Sequence, residues 1–216
     1  MIQKPSKGSQ RRHFKLASLQ RAFFARYTPT VARALLGCVL VRVVGGERLS
    51  GRIVETEAYR GSQDPASHAF RGPTRRNRVM FGEAGHSYVY FSYGNHWMLN
   101  LTTEEEGVPG AVLIRAAEPL EGIATMMSRR GISILTDLAN GPGKLAEAFA
   151  IDKTLNDEDL VTSHRLYVEK GEKTGLIGSS SRVGISEAAE RPWRFFLKSS
   201  AFVSKGKPSR PGAQNP

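Results

Sequence analysis

The sequence has a single cysteine, Cys38, and so cannot close a disulfide within the chain. No apolar run approaches the roughly 20 residues that cross a bilayer, and the opening MIQKPSKGSQRRHF lacks the apolar middle of a secretory signal. Membrane spans and disulfide-stapled secreted scaffolds are thereby excluded, and a reducing, non-secretory compartment is expected. Acidic residues are missing from both ends. Nine Lys or Arg precede Glu47 and six follow Glu190, with no acid in either stretch. The segment between holds the other sixteen basic residues against all twenty acids, so the net charge of +11 arises at the termini. Such arms either neutralise phosphates on a polyanion or remain solvated tails.

Repeats, low-complexity tracts and a regular βαβ alternation are also missing, which argues against a doubly wound parallel sheet. Residues 1–18 read as a flexible basic arm, 19–203 as one catalytic domain and 204–216 as a flexible basic tail. Within the domain, TPTVARALLG reads as a helix capped by Thr28, with Pro29 in its first turn and Gly37 past its end. CVLVRVV and ERLSGRIVETEAY read as strands joined by a Gly45-Gly46 turn. After an irregular, arginine-bearing loop, GSQDPASHAFRGPTRRNR, comes the aromatic hairpin SYVYFSYGNHWMLNLTT. GAVLIRAAEP is a further strand, EGIATMMSRRG a short helix, and GPGKLAEAFAID a helix opened by a glycine-rich turn. SRVGI and WRFFLKSS read as closing strands. The class is α+β.

Chemistry concentrates on RIVETEAY. Strand alternation puts Glu55, Glu57 and Tyr59 on one face, about 7 Å between neighbours. Glutamate is disfavoured inside strands and costly to bury unpaired, so the pair needs solvent at an edge or a function. Downstream lie His68, the cluster Arg71, Arg75, Arg76 and Arg78, the hairpin rings and Arg115. A carboxylate kept ionised by an arginine in a ring-lined pocket can activate water or stabilise a developing cation. Stacked rings suit a flat ligand, such as a base turned out of a duplex. Tyr88 and Tyr90 share one hairpin face. Tyr93 has the opposite parity and sits at the tip, where a side chain can wedge into a base stack. The competing reading is that tyrosine and tryptophan are simply good strand formers, but Asn100 breaks the apolar pattern opposite the same rings.

RIVETEAY, PASHAF with TRRNRVMF, YVYFSYG with Asn100, VLIRAAEPLEG and GPGKLAEAFAI, in that order over about residues 30–203, resemble the alkyladenine DNA glycosylase family, the mammalian-type 3-methyladenine DNA glycosylases. The resemblance implies a single mixed α+β domain with a curved antiparallel sheet, flanking helices and a protruding β-hairpin. It implies a monofunctional enzyme of base excision repair that flips alkylated or deaminated purines (3-methyladenine, 7-methylguanine, hypoxanthine, ethenoadenine) from duplex DNA and hydrolyses the N-glycosidic bond. By the same resemblance Glu57 activates the water. Arg115 contacts the nucleotide and helps hold that water, with the Val183 backbone close by. Tyr59, His68 and Tyr90 wall the base, Asn100 floors the pocket, and Tyr93 intercalates. Glu55 is left to structure. Arg71, Arg76 and Arg78 are assigned to phosphates or to bracing their loop, and Lys144, at the start of the GPGK helix, to a further phosphate. No metal or other cofactor is implied, and the working form is a monomer on double-stranded DNA. Its place is the cytoplasm, beside the nucleoid, in a bacterium, or the nucleus in a eukaryote. One departure stands out: Thr74-Arg75-Arg76-Asn77 replaces the family's usual Thr-Pro-Arg-Asn, and loss of the proline predicts a looser loop.

Three rival readings remain open to the structure. One is a metal-dependent hydrolase built from Glu55, Glu57, His68, His86 and His96, although no closely spaced zinc-ligand pair occurs. Another is a helix-hairpin-helix glycosylase on NGPGKLAEAFAID with Asp152, which needs a helix before the turn. The last is a non-catalytic damaged-DNA binding module.

Overall fold

The computed structural model describes residues 18–92, 94–172 and 175–209. Eight strands form one antiparallel sheet: β1 (Val39–Val44), β2 (Glu47–Tyr59), β3 (Ser87–Ser92), β4 (His96–Thr103), β5 (Gly110–Glu121), β6 (Leu166–Glu169), β7 (Ile177–Ser180) and β8 (Arg194–Leu197). The main path runs β3-β4-β5-β2-β1-β6. Because β2 is 13 residues long, one of its edges serves two partners in turn, β1 along its first half and β8 at Glu55 to Glu57, while β5 takes the other edge. The register against β5 slips at Ser50/Gly51 and on either side of Glu55. Such bulges bend and twist a strand, and here they curve the sheet around the two glutamates.

The hairpin of β1 and β2 closes as its sequence predicts, with Gly45 and Gly46 both at positive φ (61° and 80°), the backbone that a type I′ turn demands. Four short helices complete the domain: α1 (Arg21–Phe24), α2 (Thr28–Ala34), α3 (Ile123–Arg130) and α4 (Pro142–Ala148). Helix α2 packs on β2 and β5, and α4 packs on β4, so that Phe24, Val31, Leu35, Leu101, Ile114, Leu145 and Phe149 merge into one buried core. A smaller apolar cluster of Ala69, Val79, Met80, Tyr88 and Ala111 lies under the arginine-bearing loop and supports its inner face. None of the described helices is long and apolar enough to cross a membrane.

The structure departs from the sequence reading in four places. Tyr27, not Thr28, is the cap of α2; the buried Thr28 lies inside the helix, where its N–H and hydroxyl both donate to the Glu104 carboxylate at 2.8 and 2.7 Å. SRVGI is not a strand: only Val183 makes a bridge, to Pro208, because this stretch spends its backbone groups on the site. Strands β6 and β7, short and set among polar residues, carry too little alternation to be read in advance. Residues 204–209, expected in a flexible tail, are packed on the domain: the Ser204 N–H donates to Glu55 and the Ser209 N–H to the Arg182 carbonyl. At the other end, Ser18 bridges Glu169; the rest of the expected arm and residues 210–216 lie outside the described residues.

Candidate active site

Strand β2 delivers both glutamates to one buried face, each fully shielded from solvent, and there their partners differ. Glu55 accepts from Arg115 Nε (2.8 Å), Arg194 Nε (2.7 Å), the Ser204 N–H (2.6 Å) and the Ser204 hydroxyl (2.9 Å). Burial opposes its ionisation, but the Arg115 and Arg194 charges and these hydrogen bonds prevail and hold the carboxyl below its ordinary range. Glu57 accepts from the Tyr59 hydroxyl (2.9 Å) and Arg115 Nη1 (3.2 Å) on one oxygen and from the Val183 N–H (2.7 Å) on the other. Arg115 thus bridges the two carboxylates. Burial works against its charge, while Glu57 and Glu55 outweigh that and raise its pKa further.

In front of Glu57 lies a cavity of about 370 Å³, within the ~300–1,000 Å³ typical of small-ligand sites. Tyr59, His68, Tyr88, Tyr90, Asn100, Arg115 and Val183 line it. Glu57 itself is set one layer back, and all three of its hydrogen-bond donors belong to residues of the cavity wall. Burial, and then the adjacent Glu57 charge, push the Tyr59 phenol well above its usual pKa, so it stays a donor to that carboxylate.

Much of the lining is aromatic. His68 meets Tyr90 edge-on with ring centroids 4.6 Å apart, and its Nδ1 lies 2.9 Å from the Tyr88 hydroxyl. Burial, followed by the Arg76 charge, lowers the His68 pKa and keeps the imidazole neutral near pH 7. Asn100 stands opposite Tyr88 in the β3–β4 register, and its Nδ2 donates to the Tyr88 carbonyl at 3.1 Å. The pairing expected between the polar break and the rings is therefore direct.

On the loop that carries His68, Arg71, Arg75, Arg76 and Arg78 are exposed. Arg76 sits over the Tyr90 ring at 4.9 Å, with Nη2 at 3.5 Å from the Phe91 carbonyl. Among the described residues none of the four has a carboxylate partner, so the surface ion pairs that could have explained them are not formed. Their loop closes through Asn77: its Nδ2 donates to the carbonyls of His68 (2.7 Å) and Gly72 (3.1 Å), and its Oδ1 accepts from the Thr74 N–H (2.6 Å). Lys144, in the first turn of α4, donates to Asn140 Oδ1 at 2.8 Å. Tyr93 lies outside the described residues.

Sequence reasoning missed four members of this site. Arg182, fully buried, donates through both terminal nitrogens to Asp64 and sits 4.7 Å over the Tyr59 ring. Arg194 and Ser204 saturate Glu55. Only Arg194, a charge inside the apolar strand WRFFL, carried a signal comparable to that of the glutamates.

The rival sites fare poorly. Among the described residues no group of three or more His, Cys, Asp or Glu side chains could hold a metal, and His86 is engaged with Asp157 at 3.0 Å. Helix α3 ends at Arg130, and only a one-turn 3-10 helix, Leu135–Asp137, lies between it and the Gly-Pro-Gly turn, so no longer helix runs into that turn; Asp152 caps a further 3-10 turn through the Thr154 N–H.

Comparison with known proteins covers most of the chain. The family profile described as Methylpurine-DNA glycosylase matches residues 22–201. A protein of Methanocella arvoryzae provisionally named 3-methyladenine DNA glycosylase is 50% identical over 194 residues, covering 88% of this chain and 97% of its own. Relatives with the same provisional name occur in Carboxydothermus hydrogenoformans (48% identical; 87% of this chain, 98% of theirs) and Mesorhizobium japonicum (49%; 82% and 85%).

Proposed function

The chain belongs to the methylpurine-DNA glycosylase family, and from that premise we propose that it turns damaged purine nucleotides out of duplex DNA and hydrolyses their N-glycosidic bond, leaving an abasic site. As a DNA glycosylase it is a hydrolase of N-glycosyl bonds. The observation that carries the detailed reading is the buried Glu57 carboxylate, held by Tyr59, Arg115 and Val183 at the back of an aromatic slot.

An everted purine enters between Tyr59 on one side and His68 and Tyr90 on the other, where base–aromatic stacking contributes about 1–3 kcal/mol per base. Asn100 forms the floor and selects among purines by contact. As the C1′–N bond breaks, its electrons leave with the purine and positive charge develops on the sugar. The Glu57 charge stabilises that cation, and its carboxylate takes a proton from the water whose oxygen bonds to C1′. Arg115 fixes the carboxylate, so little reorganisation accompanies the step. Alkylated purines leave readily because they carry positive charge; hypoxanthine and ethenoadenine are the neutral members of the proposed substrate set.

No lysine lines the cavity among the described residues, which supports a monofunctional enzyme, since imine formation with the sugar needs an amine. Tyr93, at the hairpin tip by sequence, fills the gap left in the duplex. Arg71, Arg76 and Arg78 meet the phosphates around the mouth, joined by Lys144. The protein acts as a monomer on double-stranded DNA.

The test is a panel of duplexes bearing 3-methyladenine, 7-methylguanine, hypoxanthine or ethenoadenine, incubated with the protein in chelator, with free base and strand scission scored separately. Base release from at least one lesion, with strands intact until alkali is added, is the expected result. Binding without release from any lesion would leave only a damaged-DNA binding module, and scission without alkali would remove the monofunctional assignment.

A further inference from the structure

The segment Ser204–Ser209 lies beyond the last residue matched by the family profile, yet it runs across the back of the site. Its first residue reaches Glu55 through both backbone N–H and hydroxyl, and the same hydroxyl accepts from Arg115 Nη2 at 3.4 Å. Its last residues hold the loop that presents the Val183 N–H to Glu57. Pro208 bridges Val183, the Ser209 N–H donates to the Arg182 carbonyl at 2.8 Å, and the Ile185 N–H donates to the Ser209 hydroxyl at 3.0 Å. Between these anchors, Gly206 passes so close that a Cβ there would lie 2.9 Å from Val183 Cγ1 and 3.3 Å from Arg115 Nη2. The strap therefore touches two of the three groups that hold Glu57. It closes a ring of contacts running Ser204, Glu55, Arg115, Glu57, Val183 and back to the strap.

We propose that Ser204–Ser209 is a positioning strap for hydrolysis, with Ser209 and Gly206 as its positioning residues: it fixes the Val183 N–H and Arg115 on Glu57, and so fixes where the water-activating carboxylate points. The proposal rests on the glycosylase reading above. None of the strap's described contacts is with a ring of the slot, so it governs the rate of bond cleavage and leaves capture of the base unchanged. A misplacement of about 1 Å in a catalytic group can cost ~100-fold in rate, which sets the size of the effect.

The experiment compares single-turnover base release with affinity for the same lesion duplex in four variants of the chain. Gly206→Val keeps every anchor but wedges the strap off Val183 and Arg115. Ser209→Ala removes the Ile185 contact and Ser209→Thr retains a hydroxyl for it. A chain stopped after Ser209 keeps the whole strap. Gly206→Val is expected to lose about 100-fold in rate with Kd and unfolding temperature unchanged. Ser209→Ala should fall between it and wild type, Ser209→Thr should recover most of that loss, and the chain stopped after Ser209 should cleave at the wild-type rate. Wild-type rates in both Gly206→Val and Ser209→Ala would overturn the proposal, as would losses of rate, affinity and unfolding temperature in step, which mark a merely structural role. A wild-type chain that releases no base would overturn the glycosylase reading itself and this proposal with it.

Discussion

Behind the rings, Glu55, Glu57, Arg115 and Arg194 share one fully connected set of hydrogen bonds, and Arg182 with Asp64 forms a second buried pair beside them. On the loop that carries His68, Arg71, Arg75, Arg76 and Arg78 are exposed with no described carboxylate against them, Arg76 lying over the Tyr90 ring. The difference follows from solvation. A buried charge without a partner costs several kcal/mol, and the charges behind the rings are all matched; an exposed arginine costs little to leave without a carboxylate. On the proposed reading, interior charges shape the site and exposed arginines attract the polyanion.

Breaking this contrast at Glu57 should have the largest effect. Glu57→Gln is expected to lower base release by about 10²–10⁴-fold while binding to a lesion duplex persists, read by single-turnover kinetics and titration. The neighbouring Glu55→Gln should act on the fold as well as the chemistry: it leaves Arg194 without a carboxylate and Arg115 with Glu57 alone, at a cost of about 3–5 kcal/mol, visible as a lowered denaturation midpoint. If both substitutions proved equivalent in rate and stability, the division of labour along β2 would be wrong.

Acid tests the paired carboxylates, in the site and at the partly buried Asp159. At Asp159 burial works against ionisation, yet hydrogen bonds from Arg21, Thr162 and the Val161 N–H, with the Arg21 charge, hold its pKa at about 2. Glu55 is lowered as well. A carboxyl depressed in the folded state contributes stability that is complete above its unfolded pKa of about 4 and is lost as pH falls toward the folded value. The unfolding temperature should therefore be flat from neutral pH to about 5 and decline from there toward about 2. Asp159→Asn should flatten part of that decline; an identical slope in both proteins would deny Asp159 its share. The smallest effects belong to the rim. Replacing Arg71 or Arg78 by Gln should weaken binding to any duplex and reduce the slope of log K against log salt by about 1, with the rate at saturation nearly unchanged.

The same contrast explains what could be read from the sequence. The β1–β2 hairpin, the aromatic hairpin and the Glu-Thr-Glu face were legible because alternation and turn glycines are local signals, and the slot residues Tyr59, His68, Tyr90, Asn100 and Arg115 were legible through motif resemblance. What supports them was not. The Ser204 contact spans 149 residues and the Arg182–Asp64 pair 118, and no local pattern marks a serine or an aspartate whose partner arrives from so far along the chain. SRVGI reads as a strand because its composition suits one, whereas its N–H groups serve Glu57 and Ser209. A basic ending reads as solvated until a backbone N–H in it is seen to meet a buried carboxylate.

The most direct measurement of the central claim is a crystal structure of the Glu57→Gln protein on a duplex carrying ethenoadenine. The account predicts an everted base between Tyr59 and Tyr90, with an ordered water within hydrogen-bond reach of the residue 57 side chain on the C1′ side. A base still stacked in the duplex, or seated in the slot with C1′ turned away from residue 57, would contradict it.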